Sequence, residues 1–110
     1  MLQIPVIRDA DDKVRPAFSV TLPLSNATYT LSFHWNARAA AWIMGLELTG
    51  IAVLATSLPL RADSLVYSFY RDNYPLGFLY VGDRFVTNVD PGRYDLGDRV
   101  NIFFIGAEEL

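Results

Sequence analysis

Cysteine is absent from this chain of 110 residues, histidine and lysine occur once each, and charged residues make up only 19% of the total. The missing cysteine excludes a disulfide framework, a thiolate zinc site and a cysteine nucleophile, and it leaves the redox compartment undetermined. A net charge of −3 argues against an unaided nucleic-acid binder, because phosphate neutralisation by Lys and Arg supplies most of that affinity. Scarce charge also leaves little to keep a free surface soluble, against about 25% charged residues in an ordinary globular domain. Residues Met1 to Asp9 lack a basic region followed by an apolar run and a small-residue cleavage site, so no signal peptide is expected. What is abundant is apolar. Hydrophobic residues are 52% of the chain, which excludes disorder, and the length suits one core. Eight of the nine basic residues are Arg, whose planar fork favours buried and interfacial carboxylate pairs; a GC-rich genome accounts for the same bias equally well.

The stretch Thr28 to Leu48 organises the rest. Tyr29, Leu31, Phe33 and Trp35 alternate with Thr28, Thr30, Ser32 and His34, a period of two that sets four large apolar groups on one face of a strand. Trp42, Met44, Leu46 and Leu48 repeat the pattern against Ile43, Gly45 and Glu47. Asn36 to Ala40 is a hairpin-length connection, and the Asn36 side chain suits the first bend because it can bond the backbone just ahead of it. The expectation is an antiparallel hairpin with both Trp35 and Trp42 in the core.

Phe18, Val20 and Leu22 give a strand of the same kind, with Pro23 to Asn26 as the turn after it. Leu2 to Ile7, interrupted by Pro5, reads as an edge strand or an extended arm, because proline cannot donate to a ladder. Asp9, Asp11, Asp12, Lys13 and Arg15 read as a solvated loop, since no glycine turn or distal Glu completes a calcium-loop spacing. Trp42 to Leu60 holds a single charge over 19 residues, yet two Gly, a central Glu47 and a period of two favour paired strands over a membrane helix. Beyond Pro59, Asp63 either caps a short helix over Ser64 to Asp72 with Leu65 inward, or Leu65, Tyr67 and Phe69 mark a strand. Phe78 to Val81 is a strand, Gly82-Asp83 a reversal, Phe85 to Val89 a further strand, Asp90-Pro91-Gly92 a turn, and Arg99 to Ile105 the closing strand. Seven to eight short strands mean an all-β fold, a small antiparallel barrel or sandwich, with room for one short helix. A single domain is expected, residues 1–15 as an N-terminal arm and 16–110 as the β-domain.

Chemistry-bearing patterns are few. His34 lies on the polar face of its strand, and no nucleophile-elbow sequence accompanies Ser19, Ser32 or any other Ser. Asp83, Asp90, Asp95 and Asp98 sit beside Gly or Pro or in turns, where carboxylates serve turn geometry more often than hydrolysis. There is no phosphate-cradling loop and no metal-ligand spacing, so no catalytic residue, metal or cofactor is expected. Tyr67, Tyr70, Arg71 and Tyr74 form the one cluster suited to a ligand or partner surface, which supports an alternative reading as a small β-module binding carbohydrate or peptide. From Pro16 through Leu60 the only ionic residues are Arg38 and Glu47, and the outward positions carry Ser, Thr, Ala and His. A sheet face without charge reads as one covered by protein.

Three segments then point to a family. Phe18-Ser-Val-Thr-Leu, Tyr29 to Ala39 with Trp42 beyond it, and Asp95-Leu-Gly-Asp-Arg-Val-Asn-Ile-Phe-Phe resemble the small plug proteins of tailed-phage baseplates. The likeness rests on the Trp35-Asn36-Ala37-Arg38-Ala39 hairpin turn, the Pro59-Leu60 step and the Asp95-Leu96-Gly97 bend, in that order. It implies a non-enzymatic virion component, made in the host cytoplasm and sited where tail tube, hub and central spike meet, in several copies around the tail axis. It implies no cofactor and no membrane insertion. Trp35, Asn36, Arg38, Trp42, Asp95, Leu96, Gly97 and Arg99 match the family's motif positions and are read as shaping the fold, with Arg38 bonding loop carbonyls or the Asp95 carboxylate, or else facing a partner. The segments Asp63 to Tyr74 and Asp83 to Arg93 depart from the family's pattern.

Overall fold

In the computed structural model, which describes residues 2–24, 27–66, 77–85 and 89–106, the alternating stretches become eight β-strands and, among the described residues, no helix. These are β1 (Leu2–Gln3), β2 (Ala17–Leu24), β3 (Ala27–Asn36), β4 (Ala41–Leu48), β5 (Ala52–Pro59), β6 (Ser64–Leu65), β7 (Gly77–Asp83) and β8 (Val100–Gly106). They form two antiparallel sheets, ordered β2-β3-β4-β5 and β1-β8-β7-β6. The first is a plain meander and the second is closed off by the N-terminal strand, so of the two expected architectures the chain adopts the sandwich and not a closed barrel.

The period of two explains the core. Tyr29, Leu31 and Phe33 of β3 and Trp42, Met44 and Leu46 of β4 point one way; Leu79 and Val81 of β7 and Val100, Ile102 and Phe104 of β8 face them from the other sheet. Ile4, Val14, Leu60 and Leu96 seal the ends of the same cluster. Each fully buried large side chain contributes about 1.5 to 3 kcal/mol, and neither sheet could hide its inner face without the other.

The central hairpin pairs Trp35 with Trp42 and Asn36 with Ala41, one ladder step further than the sequence pattern reaches. Likewise β2 runs on through Pro23 and Leu24, which pair with Thr28 and Ala27. Pro23 is tolerated because β2 is an edge strand. Its place in the ladder is also the right one. Trp35 N donates to Pro16 O, so the even-numbered residues of β2 bond β3 while Ala17, Ser19, Thr21 and Pro23 turn their backbone groups to the open edge.

Three expectations change. Ser64 and Leu65 are not helical but pair with Val81 and Tyr80. Both sequence patterns put Leu65 inside, whereas it is 44% exposed and Val66 is buried, because the phase of β6 is set by β7. The rest of that segment, residues 67–76, lies outside the described residues. Gly82 and Asp83 continue β7 and the reversal begins at Arg84. For the strand expected over Phe85 to Val89, Phe85 sits in a turn and Val89 belongs to no strand, both exposed; 86–88 lie outside the described residues.

Candidate functional site

Two features stand out once the sheets are in place: a nearly uncharged outer face on the β2–β5 sheet, and a partly buried arginine that ties the loop after residue 89 to the end of β7. The face follows directly from the strand alternation. With the apolar partners turned inward, Ser19, Thr21, Thr28, Ser32 and His34 are left outward and exposed, and Glu47 is the one ionic group among the outward residues of β2, β3 and β4. The Oγ1 atoms of Thr21, Thr30 and Thr49 lie 2.9 Å apart in sequence, a hydroxyl chain that satisfies these groups without charge. Gly45 lies opposite Ser32, and a Cβ there would come within 2.5 Å of Ser32 Oγ. The missing side chain opens a shallow depression of about 220 Å³ between Ser32, Glu47, Val53 and Thr56. His34 stands exposed on this face, paired in the ladder with Ala17 and Ile43.

At the tip of the central hairpin, Asn36 Oδ1 accepts hydrogen bonds from the backbone N–H groups of Arg38 and Ala39, each at 3.1 Å. Arg38 itself is exposed, and its side chain bonds no described residue. The Asp95 carboxylate that the sequence offered it is taken from elsewhere: Gly92 N donates to Asp95 Oδ2 at 2.6 Å and Arg99 Nη2 at 3.0 Å. Beneath the tip, Trp35 meets Trp42 edge to face at 5.8 Å, and Phe18 stacks on Phe33 at 4.9 Å. Trp42 is fully buried and its Nε1 donates to Gly92 O at 2.9 Å, linking the hairpin to the loop of the other half; Trp35 is only half-buried.

The Asp95-Leu96-Gly97 bend is built on the same principle of a polar group closing a loop over an apolar plug. Leu96 is fully buried, and the Asp95 carbonyl accepts from Asp98 N and Val100 N. Gly97 has φ +83, a conformation that favours glycine; a Cβ there would also sit 2.9 Å from Arg8 Nη2, the mobile end of a side chain that can move aside. Arg99 then reaches across. Its Nη1 pairs with Asp83 Oδ2 and donates to Val89 O at 3.1 Å, while Nη2 donates to Asp90 O and to Asp95 Oδ2. The bond to Asp95 is the first cause that raises the Arg99 pKa further above its ordinary value; burial opposes it, and the charges of Asp95 and Asp83 reinforce it.

Asp83 is the residue that sequence reasoning misplaced. Its side chain is fully buried, with Oδ1 accepting from Phe85 N at 3.0 Å. The signal was present, since Leu79, Val81 and Asp83 share one phase of the period of two, but the preceding glycine suggested a turn. Asp63, expected as a helix cap, instead has φ 51 and accepts from Asp83 N at 3.1 Å and from Tyr80 OH at 3.2 Å. The Tyr80 phenol is pushed above 10.0, first by burial and then by the Asp63 charge and hydrogen bond. Because the fold holds this proton more tightly than the unfolded chain does, its stabilisation is complete below pH 10 and is lost as pH rises through the folded value. Denaturant titrations between about pH 8 and pH 11 should show the wild type losing more stability than Tyr80→Phe; equal slopes would remove Tyr80 from the linkage.

Tyr67, Tyr70, Arg71 and Tyr74 lie outside the described residues. The Asp9 to Arg15 segment folds as a tight turn in which Asp9 Oδ1 accepts from Asp11 N and Lys13 N, and these backbone bonds, Lys13's foremost, lower the exposed Asp9 carboxyl below its ordinary value. Among the described residues no group of three His, Asp or Glu is placed to hold a metal. An open cleft of about 640 Å³ separates this turn from Tyr94 and Asp98, its walls mixing Arg8 and Lys13 with Asp12.

Residues 1–107 match the protein family described as cyanophage baseplate Pam3 plug gp18. No curated protein matches the chain.

Proposed function

This chain belongs to the cyanophage baseplate plug family, and we propose that it is a structural component of a phage tail baseplate, working by contact with hub, tail-tube and spike subunits at the tail axis. The match over nearly the whole chain carries the reading. The sparsely charged outer face of the β2–β5 sheet supports it, because burying Thr hydroxyls that already bond one another costs far less than stripping water from charges. In this role the sandwich is a rigid body whose outer face, with Glu47 its one ionic group on β2, β3 and β4, packs against neighbouring subunits, in several copies, and helps keep the channel closed until the tail is triggered.

The role needs assembly and not turnover, so the test is incorporation. Thr28→Glu combined with His34→Glu puts two carboxylates on the exposed ends of the outward row of β3. Surface changes of this kind shift stability by about 0.5 kcal/mol or less each, so the variant should melt like the wild type. It should nevertheless be missing from tails assembled in its presence. Tails that take up the variant at wild-type levels would show that this face is not the contact, and a reconstruction of the tail tip without this chain in the baseplate would overturn the role itself.

A further inference from the structure

Four strands end the two sheets, and they are not equally guarded. β1 and β6 are two residues long, and β5 is offset twice against β4, between Met44 and Leu46 and again between Leu46 and Glu47, which breaks the flat row a neighbour would need. β2 has no such protection. It is eight residues long, pairs with β3 without a break and carries no charge, and no described residue pairs with its outer side. Beneath it Phe18, Val20 and Leu22 are half-buried against the core while Ser19 and Thr21 are exposed.

The order of residue types in β2 is symmetric about Val20: Ser19 mirrors Thr21, Phe18 mirrors Leu22, and Ala17 mirrors Pro23. We propose that β2 is a self-pairing edge, joining β2 of a second copy of this chain in an antiparallel twofold pair centred on Val20. Both requirements of such a pair are met. Facing is conserved, because Phe18 comes opposite the other Leu22 on the apolar side and Ser19 opposite the other Thr21 on the polar side. Hydrogen-bond parity is conserved as well. Ala17, Ser19 and Thr21 are the residues whose backbone groups point outward, so Ser19 and Thr21 exchange both bonds, and the Ala17 N–H finds the Pro23 carbonyl. Pro23 withholds a donor from the last step, which limits the pairing to the length of β2. The absence of charge removes the repulsion that two copies of one strand would otherwise set against themselves. A twofold contact cannot link successive subunits of a single ring, which needs a head-to-tail contact, so the pair belongs to the free protein, where it covers an edge that would otherwise recruit other chains. This inference does not depend on the baseplate role.

Sedimentation equilibrium of the full chain tests it. The wild type should be a dimer, and Ser19→Lys with Thr21→Lys should raise the dissociation constant at least tenfold, because each new cation faces another across the axis. Ser19→Lys with Thr21→Glu should restore the dimer, since every new charge then faces its opposite. Both positions are exposed, so circular dichroism should report a kept fold in each case. The lack of cysteine allows a second measurement. Val20→Cys sits on the twofold axis, at a non-hydrogen-bonded pair with Cα atoms about 4.5 Å apart, within disulfide reach, and should cross-link on oxidation. A monomeric wild type, a trimer or larger ring, a dimer indifferent to both charge pairs, or a Val20→Cys chain that stays uncrosslinked would each overturn the proposal.

Discussion

Arg99→Met should lower stability by about 3 to 5 kcal/mol, out of the roughly 5 to 15 available to a domain of this size. The size of the effect comes from what the substitution leaves behind. Asp83 has a fully buried carboxylate, and removing the guanidinium strands that charge away from water with the Phe85 N–H still bonded to it. The carbonyls of Val89 and Asp90 lose a donor at the same time, and Asp95 keeps only its bond from Gly92 N. Thermal melting should fall by at least about 10 °C. A double variant, Arg99→Met with Asp83→Asn, should recover part of the loss, because the uncompensated charge is gone while an acceptor for Phe85 N remains. If Arg99→Met melted within about 1 kcal/mol of the wild type, the cluster would be a surface ion pair and the loop would be held by other means.

The same cluster shows what a sequence can and cannot disclose here. Strands β2, β3, β4, β7 and β8 were legible because each buries one face, and a period of two is then imposed on side-chain chemistry. Trp42 was legible for the same reason, as a large apolar residue in phase with its strand, whereas Leu96 and Gly97 were singled out only through the family resemblance. Asp83 and Arg99 form a pair across 16 residues, and no local pattern reports a partner that far away. Asp83 in particular was read as turn chemistry because its buried setting is created by the strand beside it. β5 was legible as a strand paired with the one before it, but not which of its residues are covered: Val53, opposite Glu47, is 65% exposed beside the two offsets against β4, and Ile51, 77% exposed, lies in the turn before the strand. The short β6 takes its phase wholly from β7, so neither a helical nor a strand pattern could have oriented Leu65.

These differences bear on how a small baseplate component stays rigid. One sheet is a meander whose contacts are local. The other joins the first strand of the chain to the last and relies on a long loop, residues 89–99, folded back across its end. Among the described residues, what joins that loop to the meander beyond apolar packing is the indole of Trp42, whose ring is packed by Phe18 and Trp35 and whose N–H reaches the Gly92 carbonyl while Arg93 lies 5.8 Å from the ring centre.

Trp42→Ala is therefore expected to cost about 3 to 5 kcal/mol and to leave the chain largely unfolded at physiological temperature. The loss combines a cavity of indole size at the centre of the core with a carbonyl that no longer has its donor. The two parts can be separated. Trp42→Phe retains most of the apolar contact and removes the bond to Gly92 O, so it should cost about 1 to 3 kcal/mol, the penalty of an acceptor left without its partner. Trp35→Ala should cost less than Trp42→Ala, although the sequence ranks the two residues alike, because Trp35 is half-buried and its side chain lies at the rim of the core. Urea titrations of the three variants should therefore rank Trp42→Ala as the most destabilised. Trp35→Ala and Trp42→Ala falling together would mean that the pair acts as a single aromatic unit, and a Trp42→Phe variant as stable as the wild type would show that the loop over β4 does not depend on the indole N–H.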